Sequence, residues 1–238
     1  QHGNLPVMVT AGTSRMNLLS DEELMKLNEI VTEEAKKGPN KQLAIVGNPM
    51  LGSARNTIRF AKHAEQIGAD ILLVYYPERY YDDQSVFDFY KQIADNSTIP
   101  LMIHGMPMRN AKGGNPKPYD HNLCAKLAEI DSVVGIKEES LNEGVRYKIA
   151  KHLSDRLGVI VAGESMRMYM GSAPFGAQGY LVGVGSMMPH IEEDFFKKYE
   201  TGNLEAAANI VNDIEEPFFG GAKQIGWHVA MKTSMNLL

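Results

Sequence analysis

The chain has 238 residues, of which 44% are hydrophobic and 22% charged, proportions that are ordinary for a soluble globular protein. Its length fits one large α/β domain or two smaller ones. The net charge of −5 argues against a nucleic-acid-binding surface, and no apolar run reaches the roughly 18 residues of a membrane-spanning helix. The first residues lack the basic and apolar regions of a signal peptide, and the single cysteine, Cys124, cannot form an internal disulfide. We therefore expect a cytoplasmic protein that binds neither nucleic acid nor membranes.

Apolar strands and amphipathic helices alternate along most of the chain. The predicted strands are 5–12, 42–47, 69–76, 99–104, 131–137, 158–163 and 179–185. The predicted helices between them are 20–35, 54–67, 85–95, 123–130, 143–153 and 165–171. The last fifty or so residues are predicted to be helical over 190–200, 203–215 and 222–236.

The first predicted helix has the clearest local signals. Ser20 to Glu23 has the form of a capping box, in which a serine and a glutamate three residues later satisfy the first free N–H groups of a helix. An apolar stripe then follows at helical spacing, formed by Leu24, Leu27, Val31 and Ala35. We expect this stripe to face the core.

Alternation of strands and helices predicts a parallel sheet, either as a doubly wound open sheet or as a (β/α)8 TIM barrel. The first strand carries no Gly-x-Gly-x-x-Gly motif, so dinucleotide binding has little support. Polar residues instead follow several different strands, which is typical of a barrel because one face of a barrel gathers all the strand ends. These residues are Thr13 and Ser14, Tyr75 and Tyr76, His104, Lys137, and Gly163 with Glu164. Only seven strands can be counted, one fewer than a barrel requires.

Lys137 stands at the end of the buried strand 131–137, directly before a polar segment. A charged amine is costly to keep in apolar surroundings, so burial favours the neutral form. A neutral lysine amine can attack a carbonyl carbon and form a Schiff base. A strand-end lysine that simply reaches water is the alternative interpretation.

The histidines show no spacing typical of a metal site, so we expect no bound metal. They are His2, His63, His104, His121, His152, His190 and His228.

Several segments in order resemble the dihydrodipicolinate synthase / N-acetylneuraminate lyase family of class I, Schiff-base-forming aldolases. Gly135–Ser140 is similar to the family's Schiff-base strand, and 99–107 resembles the strand that normally reads Pro-x-x-x-Tyr-Asn-x-Pro. The other similar segments are 11–14 with 19–23, 64–70 with Tyr75 and Tyr76, 162–164, and 176–179. Family members begin with a strand and a helix that precede the 11–14 segment, which would explain the count of seven strands.

The resemblance implies a TIM barrel over residues 1–189, from its second strand onward, and a C-terminal helical extension over 190–238. It also implies a class I lyase that holds a 2-oxo acid on Lys137 without a cofactor, in a homo-oligomer of two or four subunits. Aldol cleavage or condensation and dehydration of a keto-deoxy acid sugar both remain open.

The same resemblance assigns roles to further residues. His104 stands in place of the usual catalytic Tyr and is predicted to transfer protons, and Tyr76, with Tyr75 as the close second, matches a tyrosine that reaches a neighbouring subunit's site. The predicted substrate-binding residues are Thr13, Ser14, Tyr75, Arg109, Gly163 and Val182. Thr13 and Ser14 would hold the substrate carboxylate or merely close a turn, and Arg109 would bind a distal carboxylate or remain a solvated loop residue.

Two other functions stay open from the sequence. The His104 replacement and the altered 12–14 segment motivate a catalytically inactive barrel that binds a small carboxylate metabolite, whereas the retained Lys137 argues against it. Alternatively, Gly183 to Gly185 near a helix start would form an anion site in a barrel that handles sugar phosphates.

Overall fold

The structure, a computed structural model, describes residues 6–9, 15–37, 41–50, 52–76, 79–181 and 183–238. Within them, seven strands form one parallel sheet, and their order across the sheet is their order along the chain. The strands are β1 (Val7–Met8), β2 (Ala44–Gly47), β3 (Ile71–Val74), β4 (Leu101–Gly105), β5 (Val133–Glu138), β6 (Gly158–Ala162) and β7 (Gly179–Leu181).

Helices cover the outside of the sheet and continue beyond its last strand. They are α1 (Asp21–Ala35), α2 (Ala54–Gln66), α3 (Asp83–Ala94), α4 (His121–Leu127), α5 (Glu143–Leu153), α6 (Ser165–Ser172), α7 (Pro189–Glu200), α8 (Leu204–Ile210), α9 (Glu216–Ile225) and α10 (Trp227–Leu237). In the described part of the chain, no helix is both long enough and apolar enough to cross a bilayer.

The strand order decides between the two predicted architectures. A doubly wound sheet reverses its strand order at a switch point, whereas a barrel adds each strand beside the previous one. Here every strand from β1 to β6 pairs in parallel with its successor. The curled sheet with its outer helices therefore confirms the predicted barrel architecture, and the extra C-terminal helices are present.

Alternation along the strands produces two apolar layers. Leu72 and Val74 face the helices and join the large outer core, whereas Leu73 and Tyr75 face the barrel interior with Met102. Because successive side chains of a strand point to opposite faces, both layers are fully apolar around a strand such as β3. The side chains that point into the barrel interior are the ones that lie near the candidate site.

Helix α1 confirms its predicted start but only part of its predicted buried face. The Ser20 N–H donates to Glu23 Oε2 at 2.8 Å, and the Glu23 N–H donates to Ser20 Oγ at 3.2 Å. The residues buried against the barrel are Leu24, Asn28, Thr32 and Ala35, so the predicted stripe is confirmed at Leu24 and Ala35, whereas Leu27 and Val31 are only half-buried. Asn28 is stable there because its side-chain amide donates to the Gly47 carbonyl at the end of β2, 3.1 Å away.

The C-terminal helices differ from the prediction at both ends of α9. The predicted gap between 215 and 222 is helical, since α9 follows directly on a π-helical turn over Val211–Glu215. The predicted helix over 222–236 is divided, because Gly226 has a φ of 91° and separates α9 from α10. The Trp227 ring then stacks on Phe219 with 5.2 Å between ring centroids, which turns α10 back towards the end of the barrel. The division of the chain into a barrel over 1–189 and an extension over 190–238 stays a prediction.

Candidate active site

Lys137 lies inside the barrel, on β5. It is the fifth of the six residues of β5, 3% exposed, and it lines a cavity of about 660 Å³ at the carboxyl end of the sheet. His104 is its partner in the register between β4 and β5, so both side chains point to the same face. The predicted lysine and histidine are therefore neighbours in the barrel interior.

A third side chain, Glu139, completes this group. Lys137 Nζ lies 3.1 Å from His104 Nε2, and Glu139 Oε2 lies 2.9 Å from the same nitrogen. Lys137 also donates a hydrogen bond to Glu139 Oε2. Glu139 was not among the residues predicted from the sequence, although the period of two along a strand places residues 137 and 139 on one face and residue 138 on the other.

The surroundings fix the charges of this group. Burial lowers the pKa of His104, and the hydrogen bond with Glu139 opposes that shift without overcoming it. Burial alone would raise the pKa of Glu139, but the hydrogen bond with His104 and the charge of Lys137 outweigh it and lower the pKa to about 2. At pH 7 the imidazole is neutral and the carboxylate ionised, so His104 donates its Nε2–H to Glu139.

Glu138, which points outward, anchors the same strand to the helix layer. Its Oε2 accepts a hydrogen bond from Arg146 Nε of α5 at 2.9 Å, and both side chains are at least nine-tenths buried. Its other oxygen accepts a hydrogen bond from the Ser140 N–H at 2.8 Å. This ion pair holds the end of β5, and with it the position of Lys137.

Tyr75 closes the interior behind His104. Its ring centroid lies 4.2 Å from that of His104, and the residue is 4% exposed. The buried Asn48 side chain holds the Tyr75 backbone, since Oδ1 accepts from the Tyr75 N–H at 2.8 Å and Nδ2 donates to its carbonyl at 3.3 Å. Tyr76 points the other way and packs edge-on against Phe89 of α3, with 5.2 Å between the ring centroids.

Two glycines allow the backbone to approach the site closely. A Cβ on Gly105 would lie 2.8 Å from the Lys137 carbonyl oxygen, closer than real Cβ contacts allow. This explains why a glycine follows His104. Gly163 lines the cavity with a φ of 112°, where a side chain would be strained and would also meet Leu141 and Met168.

The mouth of the cavity is formed by the segment after β1 and by α10. Arg15, from the first of these, and His228 and Lys232, from α10, line it together with apolar residues such as Met231 and Met235. The cavity wall therefore contains the side chains of Arg15 and Lys232 as well as those of the buried Lys137 and of Glu139. Across the described residues, no group of three His, Cys, Asp or Glu side chains could hold a metal ion.

The remaining predicted residues are dispersed. Arg109 is exposed on the loop after β4 and does not line the cavity, and its carbonyl accepts a hydrogen bond from the Tyr80 N–H at 2.8 Å. Thr13, Ser14 and Val182 lie outside the described residues. Of the predicted residues, the structure therefore brings together Lys137, His104, Tyr75 and Gly163.

Comparison with known proteins decides the family. A model of the dihydrodipicolinate synthetase family matches residues 1–238, the whole chain. The chain belongs to this family. The resemblance found in the sequence is thereby confirmed.

Curated relatives carry one recurrent name. The 4-hydroxy-tetrahydrodipicolinate synthase of Archaeoglobus fulgidus is 28% identical over 204 residues, which are 84% of this chain and 65% of that protein. The synthase of Thermodesulfovibrio yellowstonii is 26% identical over 217 residues, 90% of this chain and 69% of the relative. The chain thus spans about two thirds of the length of these relatives.

Solved structures show the same fold. YagE, a prophage protein of the dihydrodipicolinic acid synthase family from E. coli whose structure contains pyruvate, superposes with a TM-score of 0.84 at 17% identity, covering 98% of this chain and 76% of YagE. The N-acetylneuraminate lyase of Fusobacterium nucleatum gives a TM-score of 0.80 at 16% identity, covering 96% of this chain and 74% of the lyase. At these identities the likeness establishes the fold.

Proposed function

We propose that this chain is a class I lyase that holds a 2-oxo acid, of which pyruvate is the simplest, as a Schiff base on Lys137. The observation that carries the proposal is the position of Lys137: a buried amine that lines a cavity at the carboxyl end of a barrel, beside an acid–base pair. Family membership and the pyruvate bound in YagE support the choice of substrate class.

The chemistry follows from the electronic properties of a protonated imine. The neutral amine of Lys137 attacks the ketone carbon, a C–N bond forms, and the ketone oxygen leaves as water. The resulting iminium withdraws electrons from the neighbouring carbon, which then becomes an enamine by loss of a proton or of a carbon substituent. The enamine can add to an aldehyde or expel a hydroxyl group, so aldol chemistry and dehydration share this intermediate.

Other residues have supporting roles in this proposal. Thr13 and Ser14 would bind the substrate carboxylate, and Gly163 and Val182 would bring backbone close to the imine. Tyr76 would act across a subunit interface in a dimer or tetramer, with Arg109 as a ligand for a distal carboxylate.

The two alternative functions are weaker. An inactive barrel finds no support among the relatives, whose names are those of enzymes. A phosphate site at Gly183 to Gly185 conflicts with the packing, because the Glu192 carboxyl group lies against Gly185 and accepts a hydrogen bond from that glycine's N–H. A phosphate would have to displace that carboxyl group.

The test is borohydride reduction in the presence of pyruvate, followed by peptide mass spectrometry. We expect one pyruvate-sized adduct on Lys137 and none in Lys137→Arg, which keeps a cation beside Glu139 but cannot form the imine. Lys148→Ala is the matched control, since Lys148 is exposed on α5, away from the barrel interior. Absence of an adduct with pyruvate and with longer 2-oxo acids would contradict the proposal.

A further inference from the structure

Schiff-base formation requires two protons to change places. Counted from the ammonium form of Lys137, Nζ carries three protons, and the iminium product retains one of them. The other two leave in the water molecule made from the ketone oxygen. Some group must therefore accept protons at Nζ and deliver them to the substrate oxygen.

Glu139 has the contacts that this transfer requires. Its Oε2 accepts a hydrogen bond from Nζ, and its side chain, 26% exposed, lines the cavity in which the substrate ketone would lie. His104 also touches Nζ, but it is 2% exposed, and among the described residues it is not part of the cavity wall. Of His104 and Glu139, only Glu139 both contacts the amine and lines the space for the substrate.

We propose that Glu139 is the catalytic residue that carries protons from Lys137 Nζ to the ketone oxygen, with His104 as the residue that positions it. The inference rests on the proposed function, because it assigns a step of that reaction. It also explains how a barrel with histidine in place of the usual tyrosine can make an imine.

The transfer proceeds in two balanced stages. Glu139 first takes a proton from the ammonium, and the amine lone pair forms the C–N bond while the C=O π electrons move to oxygen. Glu139 gives that proton to the oxygen, which becomes a hydroxyl. It then takes the second proton from nitrogen and passes it to the hydroxyl, so that water leaves and the nitrogen lone pair forms the C=N bond. The sum is ammonium plus ketone giving iminium plus water, with Glu139 again ionised.

The surroundings make Glu139 a base at the right moment. The charge of Lys137 and the hydrogen bond from His104 keep the carboxylate ionised in the resting site. When Nζ loses its proton, the charge contribution of Lys137 disappears and burial, which favours the neutral acid, gains weight. The hydrogen bond of 2.9 Å from His104 keeps the oxygen in place throughout.

The test measures the rate at which the full-length protein forms the imine with pyruvate, by quenching samples with borohydride at short times. We expect Glu139→Gln to slow imine formation at pH 7 by about 100-fold or more, the usual scale of a lost acid–base group. Glu143→Gln, an exposed carboxylate at the start of α5, is the matched control and should react at the wild-type rate. Formate should restore much of the rate to Glu139→Ala, and formamide should not.

A purely structural role for Glu139 predicts the opposite result. If it only holds the ammonium in place, removal of its charge increases the fraction of neutral amine, and Glu139→Gln forms the imine as fast as the wild type or faster. That result, or absence of formate rescue in a folded Glu139→Ala protein, would overturn the inference while leaving the lyase proposal intact. A wild-type protein that forms no imine with any 2-oxo acid would instead remove the lyase proposal itself.

Discussion

His104 Nε2 and Glu139 Oε2 lie 2.9 Å apart inside the barrel, on two adjacent strands whose side chains share one face. The pair keeps a neutral imidazole and an ionised carboxylate against the same lysine amine. Both members have a folded-state pKa below their ordinary value, which links the stability of the fold to pH.

We predict that acidification destabilises the protein in two stages. His104 has a folded-state pKa below 6.5, so the unfolded chain binds more protons and stability falls as pH drops below about 6.5. Glu139, with a pKa of about 2 against 4.5, loses its contribution as pH falls from about 4.5 towards 2. Urea unfolding at a series of pH values between 7 and 3 would measure both losses of stability. Glu139→Gln should flatten the lower stage, and an unchanged slope there would contradict the prediction.

The buried pair of Glu138 and Arg146 should be far more sensitive than an exposed pair. Arg146→Met leaves a carboxylate buried without its partner, so we expect a loss of about 3–5 kcal/mol in the free energy of unfolding. Asp194→Asn, which breaks the exposed pair with Lys198, should cost less than about 1 kcal/mol. Denaturant unfolding of both variants tests this, and equal losses would refute it.

Gly105→Ala should destabilise the protein although alanine is a small addition. The new Cβ would lie 2.8 Å from the Lys137 carbonyl oxygen, a backbone atom that cannot move without displacing β5. We expect a loss of about 1–3 kcal/mol, the usual scale for overpacking. Gly171→Ala on α6 is the control: its Cβ would meet nothing within 4 Å, and alanine should stabilise that helix slightly. Thermal melting should show a lower melting temperature for Gly105→Ala and no decrease for Gly171→Ala.

Cations at the cavity mouth should favour anionic substrates. Arg15 and Lys232 are exposed side chains in the cavity wall, so their effect on a charged ligand is partly screened by salt. We expect Arg15→Gln with Lys232→Gln to weaken binding of a dicarboxylic 2-oxo acid by about three- to tenfold at low salt. Pyruvate should be affected less. The concentration of 2-oxo acid that gives half-maximal borohydride trapping would measure this effect at two ionic strengths. The effect of the two substitutions should disappear in high salt.

The barrel and its central lysine could be predicted because both leave local signals. Strand–helix alternation and the positions of polar residues at strand ends indicated the architecture, and Lys137 stood out because it follows β-branched residues. Glu139 could have been found from the same alternation, since it shares a face with Lys137.

Other features depend on contacts that the sequence does not reveal. The buried face of α1 includes Asn28 because the Gly47 carbonyl is within reach of its amide, whereas helical spacing of apolar residues favoured Leu27. The choice of Tyr75 over Tyr76 as the residue beside His104 required the register of β3, because the two side chains point in opposite directions. The α10 residues of the cavity wall follow a turn at Gly226 that the apolar pattern did not mark.

Opposite faces of β5 hold the two acidic neighbours, Glu138 outside and Glu139 inside. Inserting or deleting a single residue within this strand would rotate every later side chain to the wrong face. Lys137 would then be aimed at the helix layer, and Glu138 would enter the cavity without its arginine. Across the bends at 111–115, which lie between the isolated bridges at Asn110 and Lys117 and carry no strand pairing of their own, a change of one residue in length should be absorbed. Single-codon insertion scanning should therefore find β5 intolerant and those bends permissive, independently of which substrate the protein uses.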